Sequence, residues 1–278
     1  MNTKTAAIIL NHNLPDYTDM LYEALKPYER DDYDLMVLDN GSSPEGTSKY
    51  TNYRIEENVY WGGGFNVGKQ IMLEDPQYDS LLFLNNDLTI HPYNFVKVLR
   101  EEMFSWFGSD FGDDFPSDDK NSKEYKDYVA SRIHIDCDIV SPTFYNVEPK
   151  GQCHWKTMHN YGKNCIRHVP FIDFQCPMLS RRVLEAVELD TLLLYHGWGI
   201  DCLFSIICQQ KGWKMGVIDR LSVLHHNSLT VKKGVAGITI QQYCAEAERR
   251  QREFFAKANL MNEFHATRAL GEKYNGTI

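Results

Sequence analysis

"LLFLNNDLTI", residues 81–90, decides how the chain is read. Four apolar residues run without alternation and then meet Asn85, Asn86 and Asp87. A strand apolar at every position is covered on both faces, which is the condition of strands in a parallel sheet flanked by helices. Upstream, "KTAAIILNHN" from Lys4 and "YDLMVLDNGSS" from Tyr33 repeat the pattern, ending on Asn11 and on Asp39, Asn40, Gly41 and Ser42. Between them Pro15 and Asp16 open a helix over "DYTDMLYEAL", and "FNVGKQIMLED" reads as a second helix. The fold class is α/β, a Rossmann-like, mostly parallel sheet with helices on both faces. Ligands bind beyond the carboxyl ends of such strands, so Asn11, Asp39 and Asp87 mark one functional edge.

Farther along, "IHIDCDIVSP" reads as a strand, "LSRRVLEAVE" as a helix, and "DCLFSIICQQKG" as a helix closed by Gly212. Residues 105–130 are acidic and turn-rich, an insertion expected to form a surface loop. A charged amphipathic helix over about 241–264 is expected to pack on the domain or to join copies of the chain as a homo-oligomer. The boundaries follow as one domain over 1–278, with a first half at 1–95, a second half at 96–232 and a helical tail at 233–278.

Composition limits the partners. A net charge of -9 and a pI near 5.6 argue against nucleic acid. Apolar runs such as "AAIIL" fall short of the roughly 20 residues of a bilayer span, and the N-terminus lacks the pattern of a secretory signal. Seven cysteines without paired spacing fit a reducing compartment. The expectation is a cytoplasmic chain with no transmembrane segment, whose membrane contact, if any, is peripheral at the inner face.

Three constellations could carry chemistry. "GGFNVGKQ" places Gly63, Gly68 and Lys69 at P-loop spacing, with Asp87 as a Walker B analogue, but Gln70 stands where the magnesium-binding hydroxyl belongs. "CHWKTMHNYGKNCIRH" offers Cys153, His159, Cys165 and His168 to zinc at spacings unlike those of a finger or ribbon. The third is distributed. "IILNHN", "VLDNGSS", "NVYWGGGFNVGK" and "LFLNND", followed by "VPFIDFQCPMLSRRVLEAV", "YHGWGIDCLFSIICQQKGWKMGVID" and "VLHHNS", occur in the order seen in family 2 glycosyltransferases. Over residues 5–230 the chain resembles these enzymes, most closely their rhamnosyltransferase-like branch.

The resemblance implies a GT-A fold with a nucleotide-sugar-binding half and an acceptor-binding half. It also implies inverting transfer of a hexosyl or deoxyhexosyl unit in polysaccharide or glycoconjugate assembly. The donor would be a UDP-, TDP- or GDP-sugar and the acceptor a carbohydrate or glycolipid hydroxyl. Asp39 then takes the place of the carboxylate that accepts the pyrimidine N–H, flanked by Asn11 and Ser42. Gly62, Gly63 and Gly64 would let sugar and diphosphate approach the main chain, a use of glycine that needs no Cβ. Asn66, Asn86 and Trp198 join the donor set, Trp198 by offering its ring to a sugar face.

A divalent cation, Mn²⁺ or Mg²⁺, would neutralise the leaving diphosphate, held by Asp87 and by His225 or His226. Asn85 replaces the first acidic residue of the family's DxD motif, which lowers the charge there and makes metal dependence a matter for measurement. Asp201, opening a helix, matches the catalytic base, and the helix N-terminus would help keep it ionised. Ile200 stands where the family often has Glu. Arg181 and Arg182 read equally as surface charge or as donor contacts. A nucleotidyltransferase would carry a Gly-rich basic loop after the first strand, which "LNHNLPDYTDM" lacks, and a non-catalytic nucleotide-sugar-binding module would have no use for Asp201.

Overall fold

The computed structural model describes residues 3–29, 32–91, 94–106, 133–135, 137–146, 151–163, 165–226, 229 and 239–276. The chain begins with β1 (Lys4–Asn11) and α1 (Pro15–Leu25), where Pro15 fills a first-turn position that needs no N–H. β2 (Tyr33–Asn40) and β3 (Tyr53–Ile55) extend the sheet in parallel from one side of β1, and α2 (Tyr60–Glu74) leads to β4 (Tyr78–Asn85) on the other. β5 (Leu88–Ile90) and α3 (Phe95–Met103) follow, then β6 (Phe104–Trp106) and β7 (Ile133–Ile135), which pair as a separate ribbon. β8 (Ile139–Asn146), β9 (Gly151–Gln152), β10 (Arg167–His168), β11 (Met178–Ser180), α4 (Arg181–Ala186), α5 (Ile200–Lys211) and β12 (Met215–His225) complete the main body. α6 (Ile240–Lys257) and α7 (Met261–Lys273) form the tail.

Among the described residues ten strands make one sheet, with the main order β10-β12-β8-β11-β4-β1-β2-β3. The long strands β1, β2, β4, β8 and β12 all run the same way, because the short β11 lies antiparallel to both β4 and β8 and so restores the direction across the seam. Their carboxyl ends therefore share one edge, carrying Asn11, Asn40, Asn85 and His225. The strands that read as buried on both faces are so: Ala6–Ile9 and Leu81–Leu84 have no exposed surface.

Four local readings change. α2 begins at Tyr60 rather than near Phe65, so Gly62, Gly63 and Gly64 lie inside a helix. Glycine in a helix interior costs about 1 kcal/mol relative to alanine. Packing offsets this, since a Cβ at Gly64 would lie 2.6 Å from Leu10 Cδ1 and one at Gly68 would lie 2.8 Å from Phe83. The side chain of Asn40 fixes the helix start, accepting from Val59 N and donating to Tyr60 O, each at 3.0 Å. "IHIDCDIVSP" divides into β7 and β8. Arg181 is neither surface charge nor ligand contact: it donates to the carbonyl oxygens of Met72, Leu73, Asp75 and Tyr78 and so closes the end of α2. Arg182 pairs with buried Asp138.

Of the acidic stretch 105–130, residues 107–130 lie outside the described residues. The tail is two helices, broken at Asn259 (φ 56°). Phe255 and Phe264 are fully buried and their rings stack at 4.4 Å, so this part of the tail's apolar surface packs within the chain, the first of its two expected roles. Among the described residues no helix is long and apolar enough to cross a membrane.

Candidate active site

Behind the edge of the sheet sits a closed polar network. Asn11 Nδ2 donates to Asp39 Oδ1 (2.8 Å), Gly46 O (2.9 Å) and Ser42 Oγ (3.2 Å), while Asn11 Oδ1 accepts from Thr18 Oγ1 (2.8 Å). Asp39 Oδ2 takes Ser42 N at 3.2 Å and faces Arg54 Nη1 at 3.3 Å. Asp39 is wholly buried, and none of Asn11, Asp39 and Ser42 reaches the cleft described next. What the second strand presents to that cleft is Asn40, with His12 and Asn58 beside it. The His12 ring is assigned as the Nδ1–H tautomer, donating to Asn40 O (2.8 Å) and accepting from Asn58 Nδ2 at Nε2 (3.1 Å).

The cleft has a volume of about 490 Å³ and opens at the shared carboxyl edge. Asn85, Asn86 and Asp87 contribute to it from the end of β4, and His225 from the end of β12. β5 returns antiparallel onto β12 and brings His225 Nε2 to 3.3 Å from Asp87 Oδ1. Burial works to raise Asp87, but His225 and the Leu229 N–H on Oδ2 (3.3 Å) hold it below its ordinary value. His226 is not part of this pair: its N–H donates to the main-chain oxygen of Asp87, and its Nε2 meets Thr89 Oγ1 at 2.8 Å, away from the cleft. Asn85 accepts the indole N–H of Trp61 at 2.6 Å, a neutral role that an amide oxygen fills without adding charge. Among the described residues no group of three or more His, Cys, Asp or Glu gathers as a metal cage. Asp87 and His225 thus offer two ligands, one carboxylate oxygen and one imidazole nitrogen.

Asp201 stands in the first turn of α5, preceded by Gly199 at φ 87°. Its Oδ1 accepts the N–H of Cys202 at 2.7 Å, which favours ionisation. Burial and the nearby charge of Asp173 outweigh that bond, and Asp201 is pushed up to about 7. The helix N–H thus helps keep Asp201 ionised, as expected, but burial and Asp173 prevail. Asp173, which the sequence reading did not single out, lines the same cleft and accepts Gln175 Nε2 at 2.7 Å. Burial pushes it up to about 6, against the opposing charge of His225.

The remaining wall comes from the tail and the segment before α5. His196, Trp198, Tyr243, Gln251 and Arg268 all face the cleft. Of these only Trp198 was legible from motif order. Gln251 and Arg268 looked like any other polar residues of a charged helix, and Tyr243 carried no signal.

The glycines fare differently from expectation. Gly62, Gly63, Gly64 and Asn66 do not line the cleft, and Gly62 donates its N–H to Tyr195 O (2.7 Å), with Leu194 O filling the space of a Cβ. The P-loop reading also falls, because Lys69 lies within α2 and donates to Val187 O. Nor do the four zinc candidates assemble: Cys165 is exposed, His159 Nε2 bonds Cys153 O, and His168 faces Cys137.

No protein-family model and no curated protein matches the chain. Among solved structures, GalNAc-T7 with UDP, GalNAc and Mn²⁺ superposes with a TM-score of 0.54 at 13% identity, covering 98% of this chain and 52% of that one. The chain thus spans about half the length of that neighbour. TarS 1–349 of S. aureus with UDP gives 0.47 at 12% identity (91% and 72% covered), and A197 from STIV gives 0.43 at 13% (80% and 85%). None of these descriptions names a rhamnosyltransferase. The likeness to GalNAc-T7 is one of architecture, and with the sheet order above it makes the fold GT-A-like.

Proposed function

We propose that the chain is an inverting, family 2-type glycosyltransferase, related by motif order to the rhamnosyltransferase-like branch. It moves a hexosyl or deoxyhexosyl unit from a UDP-, TDP- or GDP-sugar to a hydroxyl of a glycan or glycolipid in the cytoplasm. One observation carries this reading: a single cleft brings the Asp87–His225 pair together with Asp201 at the head of α5. The first suits a diphosphate, the second an acceptor hydroxyl.

In the proposed reaction the acceptor oxygen attacks the anomeric carbon as its proton passes to the Asp201 carboxylate. The anomeric C–O bond to the diphosphate breaks, and its electron pair leaves with the diphosphate. An Asp201 poised near 7 is a stronger base than an ordinary carboxylate and is still substantially ionised at neutral pH. Asp87 and His225 would hold a cation, which when bound would supply positive charge for the leaving diphosphate. An oxygen-plus-imidazole donor set suits Mn²⁺ better than Mg²⁺, which prefers oxygen and water. His12, Asn40 and Asn58 supply the polar groups for the nucleoside, and Asn86 lies beside Asp87. Asn11, Asp39 and Ser42 act from behind by fixing the loop after β2, and Gly62–Gly64 and Asn66 act through the placement of α2.

The test is thermal stabilisation by UDP, TDP, GDP, CDP and ATP, each with and without Mn²⁺. A metal-dependent rise with one nucleoside diphosphate, lost in Asp87→Ala, is expected. Stabilisation by ATP alone would overturn the reading.

A further inference from the structure

We infer that α6 and α7 build the acceptor subsite of the cleft, and that this subsite takes an uncharged sugar ring, held against Tyr243, His196 and Trp198 with Gln251 and Arg268 meeting its hydroxyls. The inference rests on the glycosyltransferase reading above.

The cleft is lined by two chemically distinct sets of groups. From the strand ends come His12, Asn40, Asp87 and His225, which are an amide, two imidazoles and a carboxylate. The other set is aromatic. Tyr243 stands edge-on to His196 at 4.7 Å and donates its hydroxyl to His196 O at 3.3 Å, while Tyr60 approaches the same imidazole at 5.2 Å. Trp198, two residues on, keeps 40% of its surface exposed at the mouth. Aromatic faces with a few directed polar groups are the lining of a small-molecule site.

The tail is also fastened to the turn that delivers Asp201. A Cβ on Gly199 would lie 3.0 Å from Gln251 Cβ and 3.1 Å from Phe255, so α6 rests directly on this left-handed glycine. Gln251 is 3% exposed yet borders the cleft, and Arg268, from α7, borders it with its guanidinium over the rings of Trp155 (5.6 Å) and Phe264 (5.5 Å). A ring seated among these groups has Asp201 beside it.

Charge selects the class of ring. Asp173 and Asp201 both face the cleft, and burial keeps His196 uncharged at neutral pH. Arg268 already lies 3.4 Å from Glu248, so its charge is partly answered. A carboxylated or phosphorylated sugar would bring a further anion to two carboxylates, whereas a neutral one brings no charge to oppose them.

Saturation-transfer NMR with neutral methyl glycosides, against glucuronic acid and glucose 6-phosphate, tests this in the presence of UDP and Mn²⁺. A neutral glycoside should bind the wild-type chain, weaken about tenfold or more in Tyr243→Ala and in Trp198→Ala, and keep its binding in Tyr243→Phe. Stabilisation by UDP should be the same in all four proteins, with circular dichroism confirming the fold. The inference is overturned if no neutral glycoside binds the wild type, if the anionic sugars bind instead, or if both alanine variants bind as well as the wild type. Wild-type protein that binds glycosides but never responds to a nucleotide would sink the donor reading alone.

Discussion

Two sets of polar residues lie at the carboxyl edge of the same sheet, and their fates are opposite. Asn11, Asp39 and Ser42 satisfy one another, with Thr18, Arg54 and the loop at Gly46 completing the set. Along the cleft, by contrast, Gln175 Oε1, His196 Nδ1 and His225 Nδ1 are buried without a partner among the described residues, and two carboxylates are pushed up toward neutrality. Burying such groups is costly, so a fold that retains them gains something from them. A polar strand end is therefore a poor mark of a site by itself. Unused bonding capacity and displaced charge are better ones.

Four measurements tell the two sets apart. Asp201→Asn should reduce transfer by about 10²- to 10⁴-fold, the usual worth of a general base, with UDP affinity by calorimetry unchanged. Unaltered transfer, or an equal loss of binding, would remove Asp201 from the reaction. Asp39→Ala leaves the buried Ser42 N–H without its acceptor and takes one of three acceptors from the Asn11 amide, and should cost about 1–3 kcal/mol in urea unfolding. If Asp39 serves the nucleotide instead, UDP affinity will fall while stability holds.

Gly64→Ala forces a Cβ against Leu10 and should cost about 1–3 kcal/mol. A loss of UDP affinity at intact stability would return that glycine to the donor site. Stability also depends on pH through Asp201. Because the folded value of Asp201 lies near 7, above its ordinary 3.8, the folded chain holds a proton that the unfolded chain has released across that window, and stability falls as pH rises through it. Transfer, which needs the ionised carboxylate, rises over the upper part of the same window. Asp201→Asn should therefore melt slightly higher than wild type at pH 8 while being inactive, and a lower melting temperature would contradict the assigned direction.

The sheet was legible because apolar runs such as "AAIIL" and "LLFL" need no tertiary knowledge to be read as doubly covered. Asp87 and Asp201 were legible because each sits at a punctuated boundary, a strand end and a helix start. The start of α2 was hidden, since three glycines argue against a helix and only their contacts with Leu10, Val59 and Leu194 explain one. Asp173 was hidden in "FIDFQC", where a single carboxylate among apolar residues gives no periodic signal. Choosing between His225 and His226 required the β5–β12 pairing, which turns one imidazole toward Asp87 and the other toward Thr89. Tyr243 and Gln251 enter the cleft because α6 docks on Gly199, and Arg268 joins them because the chain reverses at Asn259, events no local pattern announces.

That reversal bears on the order in which the molecule becomes competent. Leu10 of β1 and Arg268 of α7 border one cleft, so the cleft is closed by contacts spanning nearly the whole described chain. Contacts of such sequence separation carry the greatest loop-closure cost and tend to form late. During refolding, the sheet's circular dichroism should return first, and glycoside binding should lag behind it until the tail has docked on Gly199.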